Sequence, residues 1–277
     1  MKKFAIIPNN TKDIDYKYTK KLCGYLKGKA ETVMSCRDRK SGIDTLYSDD
    51  ALYTDTDAVI ILGGDGTMLQ VAEPCGKNAI PVMGINLGRI GFMTEVETED
   101  MESACDKLIS GDFKVEERMM MEICVTHSDG GTESFIALND AVISKCDSKM
   151  VSLELLVNGE DVSKYIADGL IISTPTGSTG YSLSAGGPVA DPTMSLFIAT
   201  PVCAHMLSAR PMLMSDHKNI IIRLANAGSH AAYVLIDGEE RCSIGIGDVI
   251  SIKKSDYSFK VIKLGKQSFY YTMMAKL

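Results

Sequence analysis

The chain has 277 residues, 45% hydrophobic and 23% charged, which is the composition of a globular protein with room for one large domain or two ordinary ones. Twenty-nine basic against 36 acidic side chains leave a formal charge of -7, which argues against nucleic acid or an anionic membrane surface as partner. Eight scattered cysteines without a C-x-x-C pair fit neither a zinc site nor a compact disulfide framework, and no apolar stretch approaches the length of a membrane span, so a reduced, cytoplasmic protein is expected.

In chain order, residues 4–7 read as a first buried strand, too short for the core of a signal peptide. Residues 13–28 read as a helix and 33–36 as a second strand. The run Ala58-Val59-Ile60-Ile61-Leu62 is a strand that breaks into Gly63-Gly64-Asp65-Gly66-Thr67, with a helix over 68–75. Residues 80–86 form another strand, followed by Leu87-Gly88-Arg89-Ile90-Gly91-Phe92-Met93. Strand and helix alternate to about residue 95, the pattern of a doubly wound parallel sheet, so an α/β domain is expected over 1–97.

An acidic stretch over 95–106 and a helix to residue 110 precede a change of texture. Strands are expected at 119–126, 135–138, 141–144, 153–157, 169–173, 219–224, 232–236 and 249–253. The pairs Gly130-Gly131, Asn158-Gly159, Asp237-Gly238 and Gly247-Asp248 punctuate them as turns. This predicts an all-β, sandwich-like domain over 98–258. The apolar segment 259–277 packs back on one of the two domains.

Two segments carry chemistry. A strand ending in glycines offers backbone N–H groups to a phosphate at the ligand-binding edge of a parallel sheet. A carboxylate among those glycines has another use: Asp65 addresses a hydroxyl or a metal ion, which suggests phosphoryl transfer to an alcohol. The alternative is an ordinary turn in which Asp65 caps the following helix. The negative average charge predicts a divalent metal beside any anionic ligand. The second segment, 168–188, is dense in hydroxyls and glycines. Pro175 ends a strand there and Thr176 caps a short helix facing a ligand, the alternative being a polar connecting loop.

Gly63-Gly64-Asp65-Gly66-Thr67, Gly84-Ile85-Asn86 with Gly91-Phe92-Met93-Thr94, Leu138-Asn139-Asp140, the 168–188 segment and His205-Met206-Leu207-Ser208-Ala209-Arg210-Pro211 occur in the order seen in NAD kinases. Over roughly residues 58–240 the chain resembles that family. The glycine–aspartate box is shared with diacylglycerol and sphingosine kinases and with phosphofructokinases; the 174–188 run is far more specific. The resemblance implies an ATP-dependent kinase that phosphorylates the 2′-hydroxyl of the adenosine ribose of NAD to give NADP. It also implies a divalent metal, Mg²⁺, an active site between the two domains, and a homodimer or homotetramer.

By that resemblance Asp65 is the proton acceptor and Gly66 lets the dinucleotide approach the backbone. Asn139 contacts adenine, Asp140 (Glu in many members) a ribose hydroxyl, and Asp168 the nicotinamide end. Thr176, Thr179, Gly180, Tyr181, Ser182, Leu183 and Ser184 match the segment around the adenine and nicotinamide portions, Gly180 replacing a commoner alanine. Glu239 stands where the family's Asp-Gly-Gln turn has Gln. Ile166 and Gln70 stand where relatives carry Arg, which leaves open how the 2′-phosphate is held. His205, in a small and apolar run, reads as a structural histidine, and Arg210 either meets a phosphate or braces an interface. Against the kinase reading stand a lipid kinase of the diacylglycerol type and a non-catalytic NAD or NADP sensor.

Overall fold

The computed structural model describes residues 1–35, 46–88, 91–228, 231–265 and 268–276. Contacts divide the chain into Met1–Glu117 with Ser258–Leu277, and Arg118–Tyr257. The first unit runs β1 (Lys3–Pro8), α1 (Lys17–Leu26), β2 (Glu31–Ser35), β3 (Leu46–Tyr47), α2 (Asp49–Leu52), β4 (Ala58–Gly63), α3 (Asp65–Lys77), β5 (Val82–Asn86) and α4 (Met101–Ser110). Its strands pair in parallel in the order β3-β2-β1-β4-β5. All six residues of β4 are buried, as its unbroken apolar run requires of a central parallel strand.

Two helices differ from expectation at their starts. A 3-10 turn, Ile14–Tyr16, precedes α1, because the buried Asp13 carboxylate accepts the N–H groups of Tyr18 and Thr19 at 2.8 and 2.9 Å and caps the helix there. Helix α3 begins at Asp65, not at residue 68. Cys36, at the end of one expected strand, and Arg89 and Ile90 lie outside the described residues. The expected boundary at 97/98 and the one drawn by contacts, between Glu117 and Arg118, enclose α4. Its Met101, Ala104, Cys105 and Leu108, one face at helical spacing, share a core with Phe4, Leu22 and Ile60.

The second unit takes β6 (Lys114–Thr126) from Arg118 on, then β7 (Thr132–Ala137), β8 (Asp140–Lys145), β9 (Val151–Val157), β10 (Glu160–Ala167), β11 (Gly169–Ser173), α5 (Tyr181–Ser184), β12 (Leu196–Val202), β13 (Met212–Ser215), β14 (Ile220–Gly228), β15 (Ala231–Ile236), β16 (Glu239–Gly245) and most of β17 (Val249–Lys263). Strands β10-β9-β14-β17 form one antiparallel sheet, joined by β6 and β7, and β13-β12-β11-β8-β15-β16 form the other. Alternate residues of both, among them Leu153, Ile222, Ile143 and Ile172, fill one core, which makes the unit a sandwich. The last residues of β17 belong to the first unit, where Val261 pairs in parallel with Val82, and α6 (Phe269–Lys276) closes the chain there. Among the described residues no helix is long and apolar enough to cross a membrane.

Candidate active site

In the first unit the site grows from the end of β4. A Cβ on Gly63 would overlap the Thr67 side chain, whose hydroxyl accepts Asn9 Nδ2 at 3.1 Å. Gly64 takes the N-cap position in extended backbone, and Asp65 opens α3, where its charge favours the helix dipole. The carboxylate does not cap its own helix. It accepts the N–H groups of Phe92 (2.7 Å, on Oδ2), Met93 (3.1 Å) and Thr94 (3.4 Å, both on Oδ1). Gly91 is pressed against it so closely that a Cβ would overlap the carboxyl group. A carboxylate offers roughly four lone-pair positions. Three donors leave one, on Oδ2.

Other groups gather at the same edge. Gly66 is exposed, with nothing within 4 Å of where a Cβ would stand. The ammonium of Lys12, which the sequence reading passed over, lies 3.3 Å from the Cβ position of Gly64 and 3.6 Å from that of Gly88. Asn86, at the end of β5, donates Nδ2 to Gly88 O at 2.9 Å, while its Oδ1 is buried with no partner among the described residues. Gln70 is exposed on α3.

In the second unit the segment after β11 folds back over the start of β8. Thr174 N–H donates to Asn139 O at 2.9 Å, and Gly177 lies so near the Asn139 carbonyl that no Cβ fits. The Thr174 hydroxyl donates to Leu138 O at 2.5 Å and accepts Gly177 N–H at 3.2 Å, so Thr174 and not Thr176 caps the 3-10 turn Thr176–Thr179. Thr176 Oγ1 and Asn139 Oδ1 are left buried with no partner among the described residues. Each such orphan costs on the order of 1–3 kcal/mol unless something meets it.

Asp237, at φ 49° in the turn between β15 and β16, organises this corner. Its carboxylate accepts the N–H groups of Leu138 (2.8 Å), Asn139 (2.7 Å) and Asp140 (3.0 Å). Burial, and then the Asp237 charge, push the Asp140 carboxyl up to about 7. Burial raises Asp237 too, but its three N–H donors and the Arg241 cation oppose the rise. Hydrogen bonding thus favours the charged form of Asp237, while Asp140 beside it takes up a proton near neutrality. Glu239, singled out from the sequence, is exposed and pairs with Arg241 at 2.9 Å.

The remaining predicted residues divide between this corner and the framework. Asp168 pairs with Lys145 at 2.6 Å, while Ile166 stands exposed on β10. Thr179 Oγ1 donates to Thr176 O at 3.3 Å. A Cβ on Gly180 would stand 3.7 Å from both Asn139 Nδ2 and Asp140 Oδ2, so this glycine faces that pair. Ser182 is buried and bonded to Thr200 Oγ1 at 2.8 Å, a framework contact. Tyr181 and Ser184 are exposed and Leu183 half-buried. His205 is exposed, which corrects its reading as a structural histidine: the apolar run around it leaves the core after Pro201. Arg210 Nη1 donates to Leu207 O and Ala209 O and closes its own turn.

The ATP-NAD kinase N-terminal domain, as a family model, matches residues 5–113, and the C-terminal domain matches residues 138–264. The chain belongs to the ATP-NAD kinase family. An NAD kinase of Acetivibrio thermocellus is 36% identical over all of this chain and 97% of that protein. The crystal structure of an NAD kinase from Archaeoglobus fulgidus in complex with ATP matches with TM-score 0.75 at 27% identity, covering 95% of this chain and 94% of that one. Yeast NADH kinase, complexed with NADH, has the same fold, with TM-score 0.90 at 20% identity over 99% of this chain and 86% of that one. As a member of this family of NAD kinases the chain is an enzyme, and its reaction is the phosphorylation of NAD to NADP with ATP as donor. Neither a lipid kinase nor a non-catalytic sensor is favoured. The α/β and all-β architecture expected from the sequence is the one found.

Proposed function

We propose that this NAD kinase moves the γ-phosphoryl group of ATP to the 2′-hydroxyl of the adenosine ribose, with Asp65 as proton acceptor. The observation that carries this is the Asp65 carboxylate, oriented by three N–H groups with one acceptor position on Oδ2 left over. An alcohol is a poor nucleophile. A fixed carboxylate within hydrogen-bond reach takes its proton as the new O–P bond forms and the bond to ADP breaks. Holding that carboxylate in one orientation beforehand lowers the cost of reaching the transition state. Gly66 leaves the approach open, and Lys12 offers positive charge to the phosphates.

On the dinucleotide side, Asn139 addresses the adenine edge, its unpartnered Oδ1 suited to accept an amino group, and Thr176 brings an unpartnered hydroxyl. Asp140, protonated near neutrality, donates to a ribose oxygen. Asp168, with Lys145, serves the nicotinamide end. Gly180, Thr179, Tyr181, Leu183 and Ser184 flank the ligand, and Ser182 and Glu239 brace the frame around it. Among the described residues no group of three or more His, Cys, Asp or Glu could hold a metal ion, and three of Asp65's acceptor positions are filled. The described residues thus offer no protein cage for the ion; Mg²⁺ arrives with ATP as part of the nucleotide substrate.

A cytoplasmic address is supported by the described cysteines, which are free thiols. A homodimer or homotetramer is supported by the open edge strand β13, with Leu213 exposed, and by Leu207, 98% exposed. The test is direct. Purified protein with NAD and ATP-Mg²⁺ forms NADP, read by an NADP-specific dehydrogenase, and a mass measurement in solution gives the subunit number. No NADP under any of these conditions overturns the reading.

A further inference from the structure

The three N–H groups that hold the Asp65 carboxylate all come from residues 92–94. Its aim is therefore as steady as that short turn. The inner side of the turn is fixed by packing, since Gly91 is pressed against Asp65 and Met93 and Thr94 are buried. The outer side carries the Phe92 ring. That ring lies 5.9 Å from the ring of Phe269, tilted by 44°, and the Lys276 ammonium stands 4.4 Å from its centroid. Both partners belong to α6.

Helix α6 is itself lightly held. Thr272 is its one buried residue, while Tyr270, Tyr271 and Met274 are exposed. Eight residues with so little burial have small helical stability of their own and fall in the class of segments that open locally. The seat under Phe92 is thus a place where the geometry of Asp65 can be gained or lost.

We propose that α6 is a positioning element for Asp65. Phe269 and Lys276 seat the Phe92 ring, and so direct the Phe92 N–H, the shortest of the three bonds to the carboxylate. The remaining acceptor position of Oδ2 then points at the alcohol. Neither residue touches substrate; both act through Phe92. The inference rests on the reading of Asp65 as proton acceptor.

The test is Phe269→Ala in the full chain, with two readouts. Amide exchange at 92–94 becomes faster by roughly tenfold, while amides of β4 are unchanged. Turnover falls by roughly ten- to a hundredfold, the cost of misplacing a catalytic group by about 1 Å, while KM for ATP stays within about twofold. Phe269→Tyr, which keeps the ring, restores both, and Lys276→Gln gives a smaller loss of the same kind. If Phe269→Ala does not fold, Phe269→Leu and Lys276→Gln carry the same readouts. Unaltered exchange at 92–94 overturns the proposal, and so does faster exchange with wild-type kcat. Failure of the underlying reading is separate: it shows as wild-type turnover in Asp65→Asn.

Discussion

The carboxylate of Asp65 and the side chains of Asn139 and Thr176 are satisfied to different degrees. At Asp65, three backbone donors converge on one carboxylate and fill most of its acceptor capacity. At the start of β8, Asp237 satisfies the backbone of residues 138–140 in the same way, yet Asn139 Oδ1 and Thr176 Oγ1 remain buried and unpartnered. The Asp65 carboxylate is held before substrate arrives, as a group that must act in one orientation requires. The Asn139 and Thr176 side chains carry an energetic cost that a bound ligand removes, as a recognition site does when its specificity comes from pairing buried polar groups.

The largest test of this contrast is Asp65→Asn. It should lower turnover by about a thousandfold, the usual scale for losing a general base, in the NADP-forming assay. The amide nitrogen cannot accept a hydrogen bond, so one N–H of the 92–94 turn loses its acceptor at a cost of about 1–3 kcal/mol, visible in urea unfolding. Unchanged stability would mean that those N–H groups do not depend on the carboxylate.

Next comes Asp140→Asn. The folded carboxyl, near 7, lies above the ordinary value of about 4, so the stability Asp140 contributes is complete below pH 4 and is lost as pH rises to 7. The variant does not titrate there. Its stability relative to the native chain should therefore grow across that window and level off above it, by on the order of 4 kcal/mol. A difference independent of pH would show that the proton resides elsewhere.

Thr176→Val is the smallest change and separates the two clusters most cleanly. Removing an unpartnered buried hydroxyl should stabilise the free protein by about 1 kcal/mol. KM for NAD should rise roughly tenfold at little-changed kcat, the sign of lost ground-state binding. Lower stability would mean that the hydroxyl already has a partner.

How much of this was legible varies with position in the fold. Central strands were read well: β11 falls on the expected residues 169–173, because a fully buried strand is an unbroken apolar run. Strands β10, β13 and β16 were missed. They are edge strands, and sequences such as Glu239–Gly245, led by charged and exposed residues, lack that signal. Strand β12 was missed for another reason, the proline at Pro201, which pairs opposite Leu170 within the ladder. In the candidate site, Asp237 read as a turn residue, its φ of 49° agreeing, while the loop it ties down lies nearly a hundred residues earlier.

The sequence by itself determined the order of elements in the central sheets, the glycine–aspartate break after β4, and the hydroxyl-rich segment after β11. Those features are local, written in apolar runs and in the spacing of glycines. Tertiary structure alone decided that Asp65 holds the 92–94 turn, that Thr174 caps in place of Thr176, and that Asp237 rather than Glu239 anchors its corner. The physical reason is that a hydrogen bond is chosen by which groups packing brings together, and those partners lie on loops for which no local pattern encodes the meeting.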